Sequence, residues 1–252
     1  MYYRNLRLSL SPPVARITLA RRDDGNQIDG RLQRELIDAA ETISATDGIS
    51  LTVLDGDGPD FCLGWDPAVL QELAGTGQVD PFGCLADLAC PVMAVVQGGA
   101  ISAGLELALA ADLRVCGEDA RFALPDVEEG RLPLAGGSQR LPRIVGRSRA
   151  AAMLLLAEEL DAPGALQAGL VSRVFPRNTL GAEAEALAQR IASRGPIALR
   201  YAKEAVHKGL ELPLEHGLRY ELDLSIILQT TSDRAEGVRA FLEKRPPDFK
   251  GE

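Results

Sequence analysis

Aromatic side chains are scarce in this sequence. They make up 4% of its 252 residues, with one tryptophan, so the core must be built from Ala, Leu, Val and Ile. Histidine is scarcer still. His207 and His216 both fall in a helical stretch near the C-terminal end with no nucleophile pattern beside them, which argues against a Ser–His–Asp triad. The cysteines Cys62, Cys84, Cys90 and Cys116 form no C-x-x-C pair, and with so few histidines no metal site is expected. Cys62 and Cys116 sit in apolar runs and read as small buried residues. A chain of this length buries a core without disulfides. An excess of positive charge is also missing. The net charge of -9 argues against a nucleic-acid surface and against anionic membranes, while leaving room for one anionic ligand on a local basic patch. No apolar run reaches the ~18 residues of a membrane span, and Met1 to Asn5 has no signal-peptide character. The cytoplasm is the expected location.

What is present is an ordinary globular balance, 46% hydrophobic and 25% charged, with strand and helix patterns in alternation. Leu6 to Leu10 and Val14 to Leu19 read as two strands around Ser11-Pro12-Pro13. Asp29 is placed to cap a helix over Arg31 to Ala45, with Leu32, Leu36, Ile37, Ala40 and Ile43 at helical spacing. Ile49 to Asp55 reads as a strand. In Phe61-Cys62-Leu63-Gly64-Trp65-Asp66-Pro67, a glycine turn meets an Asp-Pro helix start and offers a free amide. A helix over Pro67 to Ala74, a mobile polar loop over Gly75 to Gly83 and a weakly helical Cys84 to Ala89 follow. Further on, helices are expected over Ser148 to Leu160, Ala162 to Ala168 (closed by Gly169) and Leu180 to Ser193, with a strand over Leu170 to Phe175. Gly195-Pro196 reads as a hinge. Beyond it the pattern is helical: Ile197 to Lys208, Leu214 to Gln229, Ser232 to Glu243. Lys203 and Lys208 read as ordinary helix-face charges. Leu222, Leu224, Ile226, Ile227 and Leu228 make one of these helices apolar on most sides, which calls for a covering surface such as a second subunit. The whole reads as an α/β core with a helical appendage.

The most informative stretch runs from Pro91 to Gly146. An apolar strand, Val92 to Val96, enters a small-residue loop, Gln97 to Gly104, which opens a helix carrying Glu106. Such a junction presents free backbone N–H groups. A second carboxylate, Asp126, follows Pro125, and a second glycine turn, Gly136-Gly137, comes after it; that turn reads as packing a helix start close to the site. Amide donors with paired carboxylates point to acid–base chemistry on a carbonyl compound. Each acid has a plainer alternative. Glu106 can be a helix carboxylate in an ion pair, and Asp126 can be a turn residue. Glu128 and Glu129 read as solvated.

These stretches together resemble the crotonase, or enoyl-CoA hydratase/isomerase, superfamily. The strand Ala15 to Leu19 with Asn26 after it is similar to the family's first hairpin. Phe61 to Asp66 matches F-x-x-G-x-D. Gly98 to Leu107 is a degenerate G-x-A-x-G-G-G-x-E-L, in which Ser102-Ala103-Gly104 stands for the glycine triplet. Pro125 to Leu141 matches P-E-x-x-x-G-x-x-P-x-x-G-G-x-Q-R-L with Asp126 in place of Glu. Ala162 to Val171 and Phe241 to Arg245 match later elements. The resemblance implies an α/β crotonase-like (ClpP/crotonase) spiral of ββα units over residues 1–195. It also implies a C-terminal helical region over 196–252 that assembles a homotrimer or a dimer of trimers. The substrate it implies is an acyl-CoA thioester, with no cofactor beyond the coenzyme A of the substrate. Catalytic carboxylates carry over to Glu106 and Asp126, oxyanion-hole amides to Trp65 and Ala103, and substrate-binding positions to Cys62, Gly64, Asp66, Ser102, Pro125, Leu134 and Lys244. Lys244 and Arg245 would meet CoA phosphates or form a solvated tail.

The implied chemistry is hydration of an α,β-unsaturated thioester, with isomerisation or non-catalytic acyl-CoA binding by a trimer as alternatives. Negative charge builds on the thioester oxygen, and two backbone donors stabilise it. The indole of Trp65 is then free to shape an acyl pocket. Alanine at 103 keeps the N–H but disfavours positive φ. Glu106 would hold the water, and Asp126 would exchange a proton at the α-carbon. Asp is shorter than Glu by about 1.5 Å, and misplacements near ~1 Å lower rates roughly 100-fold. So Asp126 must sit on a shifted backbone, act on a differently placed atom, or catalyse weakly.

Overall fold

The computed structural model of the chain describes residues 3–70 and 80–252. Strands β1 (Leu6–Ser11) and β2 (Val14–Leu19) pair antiparallel, with Leu6 opposite Leu19 and Ser11 opposite Val14. Asp29 caps α1 (Gly30–Ser44) by accepting from the Leu32 N–H at 2.6 Å, as its place before the apolar periodicity predicts. Leu32, Leu36, Ala40 and Ile43 face the core, while Ile37 is only half-buried.

The remaining strands are β3 (Leu51–Gly56), β4 (Val92–Val96), β5 (Gly99–Ile101), β6 (Leu113–Gly117), β7 (Arg121–Ala123), β8 (Leu160–Asp161) and β9 (Arg173–Phe175). They form a six-stranded sheet, β1-β2-β3-β4-β6-β9, and a three-stranded sheet, β5-β7-β8. Beyond the first hairpin the large sheet is parallel throughout. Parallel strands covered on both faces read as unbroken apolar runs, and every residue of β4 is buried. On one face Leu54, Ala94, Val96 and Cys116 join the main core. On the other, Val53, Met93, Val95 and Val115 pack against Leu180, Ala184, Ala188 and Ala192 of a later helix.

The chain repeats one move. A strand of the large sheet is followed by a short extended piece in the small sheet, and then by a helix start. β4, β5 and α3 (Ala103–Leu109), introduced after the short α2 (Gly83–Ala86), follow this order. β3 is followed by an extended piece reduced to isolated bridges, Cys62 to Ala100 and Trp65 to Ile28, and then by a helical turn over residues 67–70. The rest of the helix expected over Pro67 to Ala74, and most of the loop expected over Gly75 to Gly83, lie outside the described residues.

Next come α4 (Gly137–Val145), α5 (Arg147–Leu155), α6 (Ala162–Gln167) and α7 (Leu180–Ala192). The helix expected over Ser148 to Leu160 stops at Leu155, because Leu160 leaves to pair with Phe122 of β7. The C-terminal helices α8 (Pro196–Gly209), α9 (Leu214–Gln229) and α10 (Ser232–Glu243) follow their sequence patterns to within a residue. Lys203 corrects its reading as a surface charge. Its side chain is 8% exposed, pairs with Asp112 at 2.9 Å and donates to the Cys90 carbonyl, tying α8 to the end of the parallel sheet. No helix among the described residues is long and apolar enough to cross a membrane.

Candidate active site

Helix α3 is seven residues long and buried along its whole length. The buried Arg114 holds its C-terminal end, donating to the carbonyls of Ala108 and Ala111, where a cation complements the helix dipole. The helix carries Glu106, which has no solvent exposure. Its Oε1 accepts the amides of Ala135 at 2.7 Å and Gly137 at 2.8 Å. Oε2 is buried and has no partner among the described residues. Gly137 packs tightly here: a Cβ would lie 3.1 Å from Oε1 and 3.0 Å from the Pro133 ring, so its neighbours would have to give by a few tenths of an ångström. Burial pushes the Glu106 carboxyl up to about 7. The charge of Asp126 adds to the rise, and the amides of Gly137 and Ala135 oppose it. Among the described residues Glu106 has no ion-pair partner, and the bonds it makes there come from the backbone amides of Ala135 and Gly137.

Asp126 lies on a tight helical turn (Pro125–Glu129) and is 1% exposed. Ser102 Oγ donates to its Oδ1 at 2.8 Å, and the Arg131 guanidinium to the same oxygen at 2.5 Å. Oδ2 is buried without a partner among the described residues. Arg131 also holds Glu129, which is exposed like Glu128.

The third component is a pair of backbone amides. Cys62 N–H donates to the Gly99 carbonyl and Ile101 N–H to the Cys62 carbonyl, so the segment before Trp65 runs alongside β5 into the start of α3. The approach is so close that a Cβ on Gly104 would lie 2.0 Å from the Cys62 carbonyl oxygen. A Cβ on Gly64 would lie 3.4 Å from Ser102 Cβ. The Trp65 and Ala103 amides thus sit on two loops packed against each other. Neither has an acceptor among the described residues. Acceptor-free N–H groups on neighbouring loops are the kind of donor that stabilises a developing negative charge.

One expectation about this loop is corrected. Ala103 begins the helix, and the non-glycine residue of the loop with positive φ is Ser102, at 49°. The penalty attached to replacing glycine therefore falls on Ser102, where such a conformation costs about 1–3 kcal/mol.

The remaining sequence candidates fall into two groups. Gly64, Ser102, Pro125 and Leu134 lie around the carboxylates, with the Leu134 amide also turned to Glu106. Cys62 lies beneath them. Its thiol is fully buried, pushed up to about 12 by burial, and its carbonyl does the positioning. The indole of Trp65 is packed on Phe82, 5.7 Å between ring centroids, and is 5% exposed. Asp66 caps the turn that follows it and pairs with Arg21 at 3.1 Å. The Ala68 amide and Arg21 hold its carboxyl below its ordinary value. Lys244 follows α10 in a left-handed conformation and is exposed, and among the described residues no bond joins it to this region. Arg245, suggested as a phosphate contact, is taken up by Glu236 and Glu243. Arg131 was missed from the sequence, and only its place just after the turn residue Gly130 hinted at a role.

Among the described residues no group of His, Cys, Asp and Glu is arranged to hold a metal ion. Comparisons with known proteins agree with one another. The family model described as Enoyl-CoA hydratase/isomerase matches residues 10–252. The chain is 41% identical to the 2,3-dehydroadipyl-CoA hydratase of Escherichia coli, over 98% of this chain and 96% of that one. It is 36% identical to the (E)-benzylidenesuccinyl-CoA hydratase of Thauera aromatica, over 97% and 98%. The crystal structure of an enoyl-CoA hydratase from Bacillus anthracis superposes with a TM-score of 0.92 at 35% identity, covering 99% of this chain and 100% of that one.

Proposed function

This chain belongs to the enoyl-CoA hydratase/isomerase family, and from that premise we propose that it is an enoyl-CoA hydratase in which Glu106 and Asp126 carry the proton transfers. Water adds across the α,β-double bond of an acyl-CoA thioester. The thioester oxygen lies between the N–H groups of Trp65 and Ala103, each donor stabilising the enolate by about 2.7–4 kcal/mol. Glu106 takes a proton from water as its oxygen bonds to the β-carbon, and the double-bond electrons move onto the thioester. Asp126, entering the cycle with a proton on Oδ2, delivers it to the α-carbon and is left as the carboxylate that Ser102 and Arg131 hold. The proton left on Glu106 returns to Asp126 before the next cycle. A carboxyl raised to about 7 exchanges protons efficiently near neutral pH. Coenzyme A enters only as part of the substrate.

One observation carries this reading. Among the described residues, two acceptor-free amides stand beside two buried carboxylates, each with one oxygen that has no partner there. Assembly through residues 196–252 in a homotrimer or larger oligomer belongs to the same reading, with the cytoplasm as its place of action. It is supported by Leu214, Leu218, Leu222 and Ile226, spaced one helical turn apart on α9 and all more than half exposed.

The test is a turnover screen on trans-2-enoyl-CoAs of several lengths and on 2,3-dehydroadipyl-CoA, with Asp126→Ala in parallel. Hydration by the wild type, lowered at least ~100-fold in the variant, is expected. Double-bond migration without hydration would make the chain an isomerase, and tight binding without turnover a non-catalytic acyl-CoA binder.

A further inference from the structure

The fixing of Asp126 is unusual in one respect: both of its donors converge on Oδ1. Ser102 Oγ and Arg131 meet that oxygen, and Oδ2 is left buried and unpartnered among the described residues. Buried polar atoms are nearly always satisfied, so an exception asks for a role. Ser102 is itself held in one orientation. Its N–H donates to the Ala123 carbonyl on β7, and its carbonyl accepts the Glu106 N–H at the first turn of α3. Its φ of 49° belongs to glycine's range, and it is 6% exposed. The hydroxyl is thus aimed by a backbone that any Cβ strains.

We propose that Ser102 is a positioning residue for Asp126. With Arg131, it fixes the carboxylate by Oδ1, so that Oδ2 is the one atom left to exchange the proton at the substrate's α-carbon. This rests on the reading of Asp126 as a proton-transfer group. It also answers the problem of the short side chain. Reach lost with a methylene matters through misplacement, and a carboxylate held on one oxygen by two donors is not free to rotate away from the reacting carbon. Ser102 therefore acts through Asp126 rather than as a substrate contact.

The experiment uses the full chain and a trans-2-enoyl-CoA that the wild type hydrates. Ser102→Gly removes the hydroxyl and relieves the backbone, so thermal stability should hold or rise. Expected are a fall in kcat of roughly 10–100-fold and a KM within about 3-fold of wild type. Adding Asp126→Glu to Ser102→Gly should restore at least about 10-fold of the lost kcat, because the longer acid no longer needs the hydroxyl. Asp126→Glu with Ser102 present should bring no gain. Arg131→Gln removes the other donor from a partly exposed site and should repeat the kcat-selective loss even if Ser102→Gly folds poorly. Wild-type kcat in Ser102→Gly and in Arg131→Gln, or a double variant no better than Ser102→Gly alone, overturns the proposal. Full turnover by Asp126→Ala would instead remove Asp126 from the chemistry, and so separates failure of the functional reading from failure of this one.

Discussion

Replacing Glu106 by Gln should shift stability in the variant's favour as pH rises. The ordinary carboxyl value is 4.5, and in the fold the group is raised to about 7. Between those values the folded protein keeps a proton that the unfolded chain has released. Stability from this group is thus complete below about 4.5, falls as pH rises through 4.5 to 7, and stays lower above. The full gap corresponds to about 3 kcal/mol. Gln carries no charge at any pH, and its carbonyl can accept the Ala135 and Gly137 amides in place of Oε1. Any pH-independent effect of the substitution, such as an unpaired amide NH₂ where Oε2 now lies, cancels between two pH values. The stability difference between variant and wild type should therefore be larger at about pH 8 than at about pH 5 by roughly 2–3 kcal/mol in favour of Gln. Denaturant unfolding of both proteins at both pH values, at one protein concentration, measures it. Turnover of the same variant should fall by about 100-fold or more. A stability difference that does not change with pH would refute the account of Glu106 as a carboxyl desolvated by the fold.

Gly104→Ala should destabilise the fold by at least about 1–3 kcal/mol, because its Cβ would lie 2.0 Å from a backbone carbonyl that cannot swing aside; a wild-type melting temperature would contradict the close approach of the two loops. Ile226→Asp places a charge on the exposed apolar stripe of α9 and should lower the oligomeric state seen by light scattering while leaving the helical circular dichroism intact. An unchanged assembly would show that this stripe is not the subunit contact.

Periodicity carried most of the fold. The cap at Asp29, the fully buried run Val92 to Val96 and the three C-terminal helices are local patterns, and the chain follows them closely. Where the reading strayed, a distant partner had intervened. Leu160 belongs to the apolar run of α5 by pattern but to β7 by pairing, and Lys203 looks solvated along its helix until Asp112 arrives from the end of α3. Local spacing does not encode such meetings.

The same division runs through the site. The sequence by itself determined the parts: a glycine-rich helix start, a carboxylate among leucines, and a second acid shorter than its family's pattern. Those follow from residue type and order. Only the tertiary structure decided their state. Glu106 is raised to about 7 because the fold buries it, with the charge of Asp126 adding to the rise against the opposing amides of Gly137 and Ala135. Asp126 is fixed on one oxygen because Ser102, twenty-four positions earlier, and Arg131, five later, reach the same atom. The strain of a missing glycine falls on Ser102 rather than Ala103. Desolvation, orientation and strain are properties of surroundings, and surroundings exist only once the chain has folded.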